Sequence, residues 1–290
     1  MRRLYILLLI ALLLTACQTA ATATPASESS QTEEDVPSDE AAPEPEQPTI
    51  QEADDDNEDE EAPGSDNTGG PAATDLSPQT VSLTAADDTT LEGTFWPSDE
   101  ETASGIVLMH WAPGDQTDWS DIALELRDGW GYAVLAFNFR GYGGSEGNRN
   151  DRMGMVQDAA AAIDFIKTLP NVAPDSVFAV GASIGADGAV DGCQLSGCAG
   201  AVSLSPGSYL GVPYSDALAA MSSTPVLCVA AEDDGVSPTT CESGNTAGTA
   251  DYSTQIYPGR AHGMALFDQD GLTPPVLQLI IDWLQEQAEA

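Results

Sequence analysis

From residue 79 onward the chain alternates two kinds of stretch. Short apolar runs, GIVLMH, YAVLAFN, SVFAV, AGAVSLS, TPVLCVA and YSTQIY, are separated by longer patterned or small-residue stretches. Among the latter, DWSDIALELRDGW, DRMGMVQDAAAAIDFIKTL and PPVLQLIIDWLQEQ place apolar residues at helical spacing, and a helix-compatible stretch follows Ser183 toward Asp191. Asp118 or Ser120 is positioned to cap the first helix, Pro170 ends the second, and a proline opens the last. Ahead of them TVSLTAADDTTLEGTFWP alternates and breaks at Asp87-Asp88, which predicts an opening β-hairpin. Strands that are apolar without a break are buried on both faces, so the pattern predicts an α/β chain with a mostly parallel central sheet flanked by helices. Asp158, Asp164, Asp187 and Asp191 fall on the predicted helices and read as solvated faces.

Two segments in front of residue 79 are of another kind. Residues 1–17 combine Met1-Arg2-Arg3 with an eleven-residue apolar run, Leu4 to Leu14, too short to span a bilayer and the right length for an export signal. Residues 18–78 hold 18 acidic residues, no Lys or Arg, many Pro, Ser, Thr and Ala, and few large apolar groups. Such a segment cannot bury enough surface to offset its ordering entropy, and it reads as a disordered acidic linker. Residues 79–290 are then one domain with a substantial core.

Charge narrows the choice of partner. Of the chain's 47 acidic and 8 basic residues, 29 and six belong to residues 79–290. A surface so acidic has nothing to neutralise phosphates, which excludes nucleic acid as a partner. The same imbalance is common where salt screens self-repulsion, an expectation about habitat rather than activity.

Besides Cys17, the cysteines are Cys193, Cys198, Cys228 and Cys241. An even number in an exported chain favours two disulfides. Three connectivities are open; the short loop GCQLSGC favours Cys193 with Cys198, leaving Cys228 with Cys241 or as a free buried thiol. No Cys/His spacing fits a metal site, and neither metal nor cofactor is expected.

Candidate chemistry lies where apolar runs end, because functional groups of parallel sheets collect at the strands' C-terminal ends. After SVFAV comes Gly181-Ala182-Ser183-Ile184-Gly185, after TPVLCVA comes Glu232-Asp233-Asp234-Gly235-Val236-Ser237-Pro238, and after YSTQIY comes Pro258-Gly259-Arg260-Ala261-His262-Gly263. An earlier loop begins His110-Trp111-Ala112-Pro113-Gly114. A G-x-S-x-G turn between strand and helix can hold a serine hydroxyl clear as a nucleophile. A neutral hydroxyl needs a base to take its proton, and His110 and His262 are the two histidines in the chain. A carboxylate then fixes the imidazole tautomer. Serine, acid and histidine stand on successive late loops.

Together GASIG, AEDDGVSP, PGRAHGM and FRGYGGSEG, in this order of strands, make residues 79–290 similar to the α/β-hydrolase fold, near the dienelactone-hydrolase and small-esterase branch. The resemblance implies Ser183 as nucleophile, His262 as base and Asp234, rather than Asp233, as acid. It implies a structural role for His110 and an oxyanion site made by the backbone N–H of Ile184 and of Ala112, or of Trp111, since Pro113 has none. Asn138 stands where relatives often carry Asp, so altered hydrogen bonding is expected around Arg140. Only the 20 residues Ser205 to Thr224 occupy the place where relatives insert a cap, which implies an open site without a large cap domain. Trp111, Tyr142, Tyr209, Met264 and Phe267 are candidates to line it.

At the N-terminus, Leu14-Thr15-Ala16-Cys17 resembles the lipobox of bacterial lipoproteins, which implies acylation at Cys17 and a catalytic domain tethered to a membrane, facing outward. The expected activity is cleavage of small or surface-presented carboxylic esters. The alternatives are peptide or amide cleavage by the same residues, and an inactive hydrolase fold used as a binding module.

Overall fold

The computed structural model describes residues 75–221, 223–247 and 251–289. The expected leader over 1–17, with Cys17, and nearly all of the expected linker over 18–78 lie outside the described residues.

Eight strands form one sheet: β1 (Gln79–Thr84), β2 (Thr90–Trp96), β3 (Ala103–Met109), β4 (Ala133–Phe137), β5 (Val172–Ala182), β6 (Gly200–Leu204), β7 (Val226–Ala231) and β8 (Tyr252–Tyr257). Their spatial order is β1-β2-β4-β3-β5-β6-β7-β8. β1, β2 and β4 pair antiparallel in turn, and every pair from β4-β3 to β7-β8 is parallel. The hairpin turns where the sequence breaks, with Asp88 at φ 65°. β5 runs further toward its N-terminus than SVFAV and shifts register against β3 between Ser104 and Gly105.

The helices are α1 (Ser120–Trp130), α2 (Arg152–Ile166), α3 (Ile184–Ser196), α4 (Tyr214–Ala220), α5 (Ser237–Gly244) and α6 (Val276–Ala288). They cover both sheet faces, as parallel strands with no solvated side require. Ala123 and Leu126 of α1 and Ile280, Ile281 and Leu284 of α6 share one apolar layer with Ile106, Leu108 and Val202 of the sheet. On the other face, α2, α3 and α4 bury Met155, Ala159, Ile163, Val190 and Leu218 against Val107, Met109 and Ala179.

Two local expectations are corrected. The cap at the start of the α1 region is neither Asp118 nor Ser120. A 3-10 turn over Gln116–Trp119 precedes the helix, and Asp115 caps it by accepting the Thr117 N–H at 2.8 Å. Nor are the helical aspartates uniformly solvated. Asp164 is exposed, but Asp158, Asp187 and Asp191 are at most 3% exposed. Asp158 lies under Arg140, which donates to it through the backbone N–H, Nε and Nη2 and reaches Asp87 and Asp151 through Nη1. Asn138 takes no part in that cluster. Its amide accepts the Gln116 N–H at 2.8 Å and donates to Glu92 at 2.9 Å. Arg140 is thus neutralised from α2 and from the hairpin turn, so asparagine at 138 leaves it fully paired.

Both disulfides join the expected partners, Cys193 to Cys198 and Cys228 to Cys241. Cys228 is therefore not a free thiol.

Candidate active site

At the C-terminal edge of the sheet, β5 ends in a turn that only small residues can make. Ser183 has φ 55° and ψ −115°, a sparsely populated conformation for a residue with a side chain. A Cβ on Gly181 would collide with the Gly185 carbonyl, and one on Gly185 with the Met109 carbonyl. Those two glycines let the strand reverse into α3 against β3, and the reversal lifts the Ser183 hydroxyl above the sheet edge.

Three loops converge on that hydroxyl. Ser183 Oγ lies 2.9 Å from His262 Nε2, and His262 Nδ1 lies 2.8 Å from Asp234 Oδ1. With Nδ1 donating to the carboxylate, Nε2 is free to accept from the serine. Asp234 is buried and its second oxygen has no partner among the described residues; Glu232 and Asp233 beside it are exposed. The histidine loop is held from below: Gly263 N–H donates to Ser205 Oγ at 2.9 Å, just past the end of β6. Ser205 is the last residue of the apolar run AGAVSLS, which is the only sign of it in the sequence.

The earlier histidine is buried and does other work. His110 Nε2 accepts the Phe139 N–H at 3.1 Å, so Nδ1 carries the proton and donates to the Trp111 carbonyl at 2.8 Å. Burial holds its pKa below the ordinary value, which keeps the ring neutral for both bonds. The Trp111 carbonyl and the Ala112 N–H belong to one peptide unit, so this bond orients that N–H as well. Ile184 N–H opens α3, where the helix dipole favours negative charge. The N–H groups of Ile184, Trp111 and Ala112 take no backbone acceptor among the described residues.

The five expected lining residues separate into three groups. Trp111, Met264 and Phe267 border one pocket of about 330 Å³ together with Ile122 and Asp118. Trp111 packs on Gly263 and donates its indole N–H to Asp118 at 2.8 Å. Tyr209 stands edge-on to the His262 ring at 6.2 Å. Tyr142 packs on His110 at 4.8 Å. Among the described residues the segment between β6 and β7 carries one short helix, α4.

The sequence profile of the dienelactone hydrolase family matches residues 97–273. An uncharacterized protein of Mycobacterium tuberculosis is 32% identical over 123 residues, which are 41% of this chain and 43% of that protein. The uncharacterized protein YfhR of Salmonella typhimurium is 27% identical over 113 residues, 37% of either chain. The matched stretch thus spans less than half the length of these curated relatives. Among solved structures, a Pyrococcus furiosus esterase superposes with TM-score 0.61 at 16% identity, covering 75% of this chain and 94% of its own. A putative α/β hydrolase of unknown function from Agrobacterium tumefaciens gives 0.60 at 22% identity, over 73% and 97%. Acetyl xylan esterase 1 of a Thermoanaerobacterium species gives 0.60 at 15% identity, over 72% and 83%.

Proposed function

This chain belongs to the dienelactone hydrolase family, and from that premise we propose that it is a serine hydrolase cleaving carboxylic esters through an acyl-enzyme on Ser183. The observation that carries this reading is the unbroken hydrogen-bonded line from Ser183 Oγ through His262 to Asp234. His262 Nε2 takes the hydroxyl proton as Ser183 Oγ bonds to the ester carbonyl carbon. The carbonyl π electrons move onto oxygen, and the N–H groups of Ile184 and Ala112 receive the charge. The tetrahedral adduct collapses, the ester C–O bond breaks, and the imidazolium returns its proton to the leaving alkoxide. Water then repeats the sequence on the acyl-enzyme and frees Ser183 and a carboxylic acid. Asp234 holds the Nδ1–H tautomer throughout and stabilises the imidazolium.

The pocket beside Trp111 and Met264 receives one side of the ester, and the shortness of the β6–β7 connection favours small acyl groups or esters presented on a larger surface. Tethering through an acylated Cys17 belongs to the same reading; the two disulfides support a compartment outside the reducing cytosol.

A fluorophosphonate probe with peptide mapping by mass spectrometry tests the mechanism. Label on Ser183, lost in Ser183→Ala and matched by turnover of short-chain esters, is the expected result. A folded protein that takes no label, in low or high salt, overturns it and leaves the binding-module alternative.

A further inference from the structure

One buried acid lies directly beneath these loops and takes no part in the chemistry described. Asp187 is four residues past Ser183 on α3 and only 2% exposed. Its carboxylate turns toward the β6–α4 loop, where it accepts the Gly207 N–H at 3.2 Å and the Tyr209 N–H; the N–H groups of Ser208 and Leu210 also face it. No ion pair among the described residues includes it. A carboxylate seated in a row of backbone N–H groups is the arrangement by which proteins bind anions, here satisfied from within the chain.

The loop so held meets the His262–Asp234 pair from two sides. At its start Ser205, with φ 59°, receives the Gly263 N–H immediately after His262. In its middle the Tyr209 ring stands against the His262 ring, with its hydroxyl turned toward Ser237 beside Asp234. A side chain on Gly207 would collide with the Tyr209 ring, so the loop packs tightly enough to transmit a shift.

We propose that Asp187 is a positioning residue for the hydrolytic site: its carboxylate ties down the Ser205–Leu210 loop, and through Ser205 and Tyr209 that loop sets the place of His262 relative to Ser183. The inference rests on the serine-hydrolase reading above.

The ionised carboxylate is the form that accepts several N–H bonds, so the tie is present above the acid's pKa and released as pH falls through it. Burial pushes that pKa up to about 6, against the opposing pull of the N–H groups. The ionisable groups around it are Asp191 one turn along α3, Tyr214 on α4, Tyr209 on the loop and, beyond Tyr214, Tyr252 on β8.

The test follows fluorophosphonate labelling rate and kcat/KM for p-nitrophenyl acetate from pH 5 to 9, in the full chain and in Asp187→Asn. The variant places an NH2 group against N–H donors at nearly constant volume. The expected result is a kcat/KM at pH 8 lower by on the order of 10- to 100-fold, the scale of a small misplacement of catalytic groups. The acid limb of the wild type should carry one protonation that the variant lacks; a merely structural aspartate would leave the limb the same in both. A folded Asp187→Asn chain with wild-type rate and limb overturns the role of Asp187 alone. Should Asp187→Asn not fold, Ser205→Ala, which cuts the bond from the loop to Gly263 N–H, takes its place, and a wild-type kcat/KM at pH 8 in that variant overturns the proposal. A folded wild-type chain that takes no label at any pH overturns the serine-hydrolase reading first, and this one with it.

Discussion

Two helices side by side on one face of the sheet each bury aspartates, and they treat them differently. On α2, Asp158 is fully buried but accepts from three donor groups of Arg140, whose guanidinium also reaches Asp87 and Asp151. Burial pushes its carboxyl up and Arg140 opposes the shift. On α3, Asp187 and Asp191 have no cation among the described residues. Asp187 is answered only by backbone N–H groups, and one oxygen of Asp191 has no partner at all among the described residues. Burial, with the Asp187 carboxylate adding to it, pushes Asp191 up to about 8. A buried carboxylate that finds a guanidinium fastens one element to another, here α2 to the hairpin turn and the loop after β4. One left without a cation is a cost to the fold, and α3 is the helix that follows directly on Ser183.

The sharpest break between the two helices comes at that serine. On the proposed mechanism Ser183→Ala cuts kcat by several orders of magnitude, with a urea midpoint close to wild type. Turnover measured beside denaturant unfolding checks both halves.

On α2 the balance reverses. Arg140→Met leaves Asp158 buried without its counter-charge, a loss of about 3–5 kcal/mol that chemical denaturation at pH 7 should show. A variant as stable as wild type would mean that Asp158 is protonated in the native state and that the guanidinium matters little.

Asp191→Asn tests the uncompensated acid. Its folded pKa lies above the unfolded one, so the wild-type group adds stability below about pH 4 and loses it as pH rises toward 8. The asparagine variant should therefore match wild type near pH 4 and exceed it by roughly 2–3 kcal/mol at pH 9, a figure discounted for relaxation around the charge. Melting temperatures across that range give the answer, and a gain independent of pH would show that charge is not its source.

The smallest effect concerns the far end of α3. Opening the short Cys193–Cys198 loop should cost about 2 kcal/mol, against about 3 kcal/mol for the longer Cys228–Cys241 loop. Unfolding of the two double-alanine variants compares them.

The contrast between α2 and α3 also shows where sequence reading stopped. Strand and helix order was legible because unbroken apolar runs and helical spacing are local patterns. Ser183, Asp234 and His262 were legible because each follows the end of such a run and parallel strands bring those ends to one edge. Asp158, Asp187 and Asp191 were misread as solvated because an aspartate's burial depends on what packs opposite it. A signal was nonetheless present in α3: Ile184-Gly-Ala-Asp-Gly-Ala-Val-Asp-Gly-Cys193 has small or apolar residues on every side, as a helix buried all round must. The cap at Asp115 was missed because a 3-10 turn has no apolar period of its own.

By itself the sequence determined the α/β alternation, the strand-end positions of the serine, acid and histidine, and the glycines that let Ser183 turn. These follow from residue type and spacing along the chain. Tertiary structure alone decided that Arg140 is neutralised from α2 and the hairpin rather than from position 138. It also decided that His110 orients the Trp111–Ala112 peptide, and that Asp187 ties down the loop beneath His262. Each depends on a bond of about 3 Å between groups distant in sequence, for His110 the one that its Nε2 accepts from Phe139 N–H, and such contacts exist only once the sheet has brought its loops together.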